Sequence, residues 1–398
     1  MEWLLFLLPV AAASGWWAAK RSGAGRGVSE PGPDPAFLRG LNYLLDEQPD
    51  KAIDVFLKLA EVDGETAETH LALGSLFRRR GEVDRAIRIH QNLVARPKLG
   101  KEQRGFALYE LGQDYMRAGL FDRAESLFRE LVEMKLHRER ALQGLREIYQ
   151  QEKDWLRCLE VAEQLQSHFG VPMGAEIAQY HCELAEEALK SGNRADAQVH
   201  LRQAQSASAQ CVRATMLQAQ LEVGGGDPEA AVSLYRRVAH QGPQFIPEIL
   251  PDLLDALRRS GRTDPRAELE DLYRSCPSPA LALTIAEEIQ RAEGDAAVVA
   301  FLVDYLSRHA DLAVLERLLE VDGRASGGAP ARATRRAILG VIQHLRSRQP
   351  DYQCAHCGFV ARRLHWQCPS CKHWGTIQPL PPQSMAQDPE SLPDRRIA

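Results

Sequence analysis

From Ala36 to about Val321 the apolar positions follow a helical period, with almost no strict alternation of apolar and polar residues. This pattern predicts a run of amphipathic helices and an all-α body. Small residues add a longer period. Gly74, Phe77, Gly81 and Ala86 return as Gly112, Tyr115, Gly119 and Ala124, a shift of 38, and Gly40 and Ala52 precede Gly74 and Ala86 by 34. The series continues after Ala124 through Cys158, Ala197, Ala231, Arg266 and Val299 at steps of 33 to 39. A period near 34 is that of the tetratricopeptide repeat. Its logic is steric: a small residue on the first helix lets the second cross it closely, and a short turn joins them. Gly81, Gly119, Gly192, Gly226, Gly261 and Gly294 each fall just past a first helix, where a left-handed residue belongs.

About eight repeats are expected over residues 36–323, the first four clearest. The shift of 38 implies an insertion around Pro97-Lys98-Leu99-Gly100. In the last two repeats Arg266 and Val299 replace the small residue. No single repeat buries its apolar face, so stacking supplies the core and winds the array into a superhelix. The concave side of such an array is a protein- or peptide-binding surface; the alternative is a spacer between two ends.

The amphipathic pattern fails at both ends. Trp3 to Ala19 is a run of 17 uncharged residues, WLLFLLPVAAASGWWAA. As a helix it is about 25 Å long, at the low end of what crosses a ~30 Å hydrocarbon core. Trp3 and Trp16-Trp17 bracket it as an interfacial belt would, and Lys20, Arg21 and Arg26 follow. The basic flank predicts a single-pass membrane anchor over 1–21, with the bulk of the chain on the cytoplasmic side. A cleaved signal peptide is the competing reading, with Ala11-Ala12-Ala13 as cleavage site, but the basic residues lie on the wrong side for it. Residues 22–35, rich in Gly and Pro, read as a flexible linker.

At the other end, Ser326-Gly327-Gly328 and Pro330 mark a hinge within 324–350, followed by a helix expected over Ala333–Arg348. Residues 351–379 form a small module, and 380–398, with five prolines from Pro379 onward, read as a disordered tail.

The module holds the chemistry. Cys354-Ala355-His356-Cys357 is followed by Cys368-Pro369-Ser370-Cys371. Two C-x2-C pairs at this spacing predict a tetrahedral metal site with Cys354, Cys357, Cys368 and Cys371 as ligands. Four soft thiolates suit iron or zinc, and spacing does not choose between them. The alternative is two disulfides or free thiols. Cys158, Cys182, Cys211 and Cys276 are scattered through helical patterns and read as small buried hydrophobes, so the eight cysteines point to a metal in a reducing compartment. His356, His365 and His373 read as surface residues or donors around the site, since four sulfurs already complete a tetrahedron. Tyr352, Phe359, Trp366 and Trp374 either build a mini-core or dock the module onto the repeats. So small a unit takes much of its folding free energy from its metal.

Composition adds boundaries. With 44% hydrophobic and 26% charged residues the chain is that of an ordinary globular body, and its net charge of −5 gives no nucleic-acid footprint. Within the module, Arg362, Arg363 and Lys372 against Asp351 give +2, and four thiolates with a divalent ion give −2. The module is near neutral, which also speaks against nucleic acid. No phosphate loop, H-E-x-x-H or nucleophile elbow is present, so no catalytic activity of its own is expected.

Three strings carry a resemblance over Met1 to about Pro379: LLFLLPVAAASGWW near the start, LGQDYMRAGLFDRAESLF from Leu111, and YQCAHCGFVARRLHWQCPSCKHWGTIQP from Tyr352. In these, and in the order anchor, repeat array, four-cysteine knuckle, the chain resembles the lipopolysaccharide assembly protein B (LapB/YciM) family of Gram-negative bacteria. The resemblance implies an inner-membrane, cytoplasm-facing adaptor that regulates lipopolysaccharide biosynthesis by bringing the LpxC deacetylase to the FtsH protease. It also implies restraint by a PbgA/YejM-type membrane regulator, and a rubredoxin-like module in which Cys354, Cys357, Cys368 and Cys371 hold one iron ion. A redox-responsive or electron-transferring scaffold for lipopolysaccharide assembly is the alternative.

Overall fold

The computed structural model describes residues 35–46, 48–62, 67–261, 264–325, 329–347 and 350–380. The expected anchor, all but one residue of the expected linker, and the tail from 381 lie outside them. Among the described residues no helix is long and apolar enough to cross a membrane. The chain divides into two compact units, 1–148 and 149–398.

In the first unit, consecutive helices pack in pairs: α1 (Pro35–Leu45) with α2 (Pro49–Val62), α3 (Ala67–Arg79) with α4 (Val83–Val94), and α5 (Lys101–Arg117) with α6 (Phe121–Glu133). α7 (Arg138–Glu152) carries the unit boundary within it. Pro35, expected as the last linker residue, instead opens α1, where its missing N–H costs nothing. The predicted insertion is the connection 95–100 between α4 and α5.

The repeat logic holds atom by atom here. Ala52, Ala86 and Ala124 are fully buried on the second helices. Gly40, Gly74 and Gly112 on the first helices lie so close to Phe56, His90 and Phe128 that an added Cβ would come within 3.0 Å of each ring. The middle ring breaks the apolar series. His90 is fully buried, and so is its partner Asp114, with Nδ1 2.5 Å from the carboxylate. Arg78 donates to the other Asp114 oxygen at 2.7 Å. A buried carboxylate with two partners is compensated where a lone one would not be.

Gly81 and Gly119 end their helices at φ +87 and +74, as the repeat requires. After α7 the equivalent residue is Lys153, held at φ +59 without a glycine's freedom.

The second unit continues with α8 (Trp155–Phe169), α9 (Gly174–Lys190), α10 (Arg194–Ala207), α11 (Val212–Gly225) and α12 (Pro228–Gln241). A 3-10 turn (Pro243–Phe245) leads into α13 (Ile246–Arg259), α14 (Arg266–Ser275), α15 (Pro279–Glu293), α16 (Asp295–Arg308), α17 (Leu312–Ala325) and α18 (Ala329–Ser347). Cys158, Ala197 and Ala231 are fully buried, but there the small-residue register ends. Arg266 and Val299 are partly exposed, and Leu269 and Val298 take the buried places instead. α18 begins four residues before the expected start, with Pro330 in its first turn, where proline is tolerated.

Three short strands follow: β1 (Tyr352–Cys354), β2 (Val360–Ala361) and β3 (Ile377–Pro379), in the order β2-β1-β3, both pairings antiparallel. The strands bring the two cysteine pairs together, with Cys354 opposite Ile377.

Candidate metal centre

The two cysteine knuckles have the same backbone geometry. Gly358 N–H donates to the Cys354 carbonyl, and Lys372 N–H to the Cys368 carbonyl, both at 2.9 Å. Cys354 N–H bonds the Phe359 carbonyl at 2.8 Å, and Cys368 N–H the His373 carbonyl at 2.9 Å. Each turn closes through a left-handed residue, Gly358 at φ +76 in one and Lys372 at φ +60 in the other.

This pseudo-symmetry aims four sulfurs at one point, all within 4.8 Å of one another. Cys354 Sγ lies 3.8 Å from Cys371 Sγ, and Cys357 Sγ lies 3.7 Å from Cys368 Sγ. A regular tetrahedron with ~2.3 Å metal–sulfur bonds has edges of about 3.8 Å. A disulfide needs about 2.0 Å. The donor set therefore fits one thiolate-bound ion and not two disulfides. Cys354 and Cys368 are buried, Cys371 is half-buried and Cys357 is exposed.

Burial opposes charge on Cys354. The Thr376 hydroxyl, 3.3 Å away, and the N–H groups of Cys357 and His356 outweigh it and bring the thiol down to about 6. Cys357 is also lowered, chiefly by the Phe359 N–H. Burial and the neighbouring sulfurs push Cys371 up to about 12. Cys354 and Cys357 are thus drawn toward thiolate while Cys371 resists further negative charge beside them, a conflict that a cation at their centre relieves.

The module's own core is small: Cys354, Cys368 and Ile377, with Tyr352, Phe359, Leu364 and Cys371 against them. The aromatic residues divide between the two expected uses. Trp366 and Trp374 dock the module onto the second unit's helices. Trp374 meets Trp155 (α8) and Tyr180 (α9) edge-on, at 5.8 and 6.0 Å between ring centres. Trp366 stacks on Phe245 at 5.6 Å, and the Arg213 guanidinium lies 5.8 Å from its centre. Gln367 donates to Gln150 at 3.1 Å, and the Tyr352 hydroxyl donates to Glu248.

Arg213, on α11, was invisible to sequence reasoning as a key residue. It is 3% exposed and donates to Glu183 and Glu186 of α9 at 2.8 and 2.6 Å, and to Gln179 at 3.2 Å. With Trp366, Leu189 and Met216 it borders an open cleft of about 390 Å³. The module thus forms one wall of that cleft.

The four other cysteines are buried, as expected, but two are not isolated. Cys182 Sγ and Cys211 Sγ lie 4.0 Å apart. The Cys182 thiol and, against burial, the Ala214 N–H lower Cys211 to about 7. Nothing in the sequence marks this pair, because Cys182 lies within α9 and Cys211, 29 residues on, precedes α11. His356 and His373 also meet, their rings stacked at 3.8 Å beside Cys371. His365 stands outside that group.

The comparisons agree with this anatomy. The family model described as a rubredoxin metal binding domain matches residues 352–379, and tetratricopeptide repeat models match 69–102 and 182–244. The chain is 35% identical over 382 residues to lipopolysaccharide assembly protein B of Escherichia coli strain K12, covering 96% of this chain and 98% of that one. It is 34% identical over 396 residues to the Haemophilus influenzae protein of the same name, with the same coverage of each. Two relatives matched from end to end, across both the helical repeats and the four-cysteine knuckle, place this chain in the lipopolysaccharide assembly protein B family.

Proposed function

We propose that this protein is a non-enzymatic adaptor in lipopolysaccharide assembly, tethered to the inner membrane by Trp3–Ala19 with its bulk on the cytoplasmic side. The observation that carries the reading is the end-to-end similarity to relatives named for lipopolysaccharide assembly, on a chain built of helical repeats. The repeats grip an LpxC-type deacetylase, and the anchor keeps it beside an FtsH-type membrane protease. A PbgA/YejM-type regulator restrains the exchange. Confinement to two dimensions raises the effective concentration of captured client at the protease without any new contact.

Cys354, Cys357, Cys368 and Cys371 hold one ion, iron in our reading, which stabilises the module and through it the cleft wall at Trp366. The docking by Trp366, Trp374 and Gln367 supports a structural role. One observation favours a redox-responsive variant of the same scaffold: Cys357 is exposed, leaving the site's edge open to an electron partner.

The test is the half-life of the deacetylase in cells whose own copy of this protein is deleted. The full chain should restore rapid turnover, and a chain lacking Trp3–Ala19 should not, even if it still binds the deacetylase. Normal turnover with the truncated chain would end the tethering idea. Metal content and the visible spectrum of tag-free protein decide the ion. One zinc and no colour would remove the redox variant.

A further inference from the structure

We propose that His356, His373 and Cys371 form a second, exchangeable site for a zinc-class divalent ion, sharing the Cys371 sulfur with the four-thiolate centre. The inference rests on Cys371 being a thiolate ligand there.

One donor atom from each of the three residues lies within 4.8 Å of the others. The sequence places each histidine two positions from a cysteine, His356 after Cys354 and His373 after Cys371. The matching turns then bring the two rings face to face, 3.8 Å apart and inclined by 21°. His373 Nδ1 lies 3.0 Å from the Cys371 carbonyl oxygen. A carbonyl only accepts, so in the neutral ring Nδ1 carries the proton and Nε2 keeps its lone pair. A hydrogen bond of this kind from the second ring nitrogen is what orients metal-binding histidines.

Electrostatics favour a cation. Four thiolates around a divalent ion leave a net charge of −2, and the neighbouring imidazoles add none when neutral. A thiolate bound to one ion still has lone pairs for another. Two imidazole nitrogens and one sulfur form a borderline-soft set, suited to zinc or cobalt(II) and poorly suited to magnesium or calcium. Donors around one tetrahedral ion stand about 3.3–3.6 Å apart, so the histidines need to move inward by roughly 1 Å. Both are exposed and Cys371 is half-buried, so this movement disturbs no core. The fourth position falls to water, which leaves the site open and the ion exchangeable.

The experiment uses the full-length, tag-free protein in detergent micelles, stripped and titrated with cobalt(II). The first equivalent should give thiolate charge-transfer and visible bands. A second should bind more weakly and shift the thiolate band, because Cys371 now bridges. H356A, H373A and the double variant should keep the first equivalent and weaken the second by at least about 100-fold, more than loss of an outer partner costs. Retention of the first equivalent shows that the variants fold. A single equivalent in the wild type, or a second that survives in the double variant, refutes the site. A second equivalent that leaves the thiolate band unmoved refutes the bridging sulfur. Loss of the first equivalent in the wild type itself would instead sink the four-thiolate reading, and this site with it.

Discussion

Replacing Trp374 with alanine tests whether the metal module is fastened to the repeats as a structural element. The ring sits between Trp155 and Tyr180 in two edge-on contacts. Removing a large aromatic from a packed site costs about 3–5 kcal/mol, and each aromatic pair accounts for about 0.5–1.5 of that. Two features reduce the figure here. The side chain is half-buried, and its buried Nε1 has no partner among the described residues, so truncation also removes a group that was costly to desolvate. A net loss of about 2–3 kcal/mol in docking follows, which is about a 30- to 140-fold shift toward the undocked module. Hydrogen exchange of the full-length protein in nanodiscs reads this directly. Amides of α8 and α9 around Trp155 and Tyr180 should lose protection by that factor, while metal content stays at one ion per chain. Unchanged protection there would show that the docking contacts carry no energy. Loss of the metal would show that Trp374 serves the knuckle and not the joint.

Three further outcomes follow from buried or strained residues. His90→Ala should cost about 3–5 kcal/mol in urea unfolding, because it opens a hole beneath Gly74 and takes one partner from the buried Asp114. His90→Phe, copying Phe56 and Phe128, should recover the packing and cost visibly less; equal losses would mean that packing is not the issue. Lys153→Gly and Lys372→Gly should each raise stability by about 0.5–1 kcal/mol by relieving a left-handed side chain, and a lower urea midpoint in either would contradict this. His181 is held near 4 by burial, with the facing His200 adding to the effect. Its folded pKa lies below its unfolded one, so the unfolded chain binds the extra proton between about 6.5 and 4. Its contribution is complete above pH 6.5 and is lost as pH falls toward 4. His181→Gln should flatten the pH dependence of the urea midpoint in that range; an unchanged slope would mean that other groups set it.

Local physics wrote much of this protein into its sequence. A steric repeat needs a small residue at each helix crossing, so Gly40, Gly74, Gly112, Ala86 and Ala124 announce the array by spacing alone. Two cysteines separated by two residues can turn both sulfurs one way without help from the rest of the chain, so the four-cysteine knuckle is equally legible. The last repeats were harder to read because bulk can replace a small residue once neighbours adjust: Leu269 and Val298 are buried where Arg266 and Val299 continue the count. What the tertiary structure alone decided are the meetings between residues far apart in the chain. Trp374 finds Trp155 and Tyr180, Arg213 finds Glu183, Glu186 and Trp366, and Cys182 finds Cys211. Such pairs follow from how successive hairpins stack, and no local spacing records that. Even the meeting of His356 with His373 depends on two turns being brought face to face by a three-stranded sheet, although each histidine stands two residues from a cysteine.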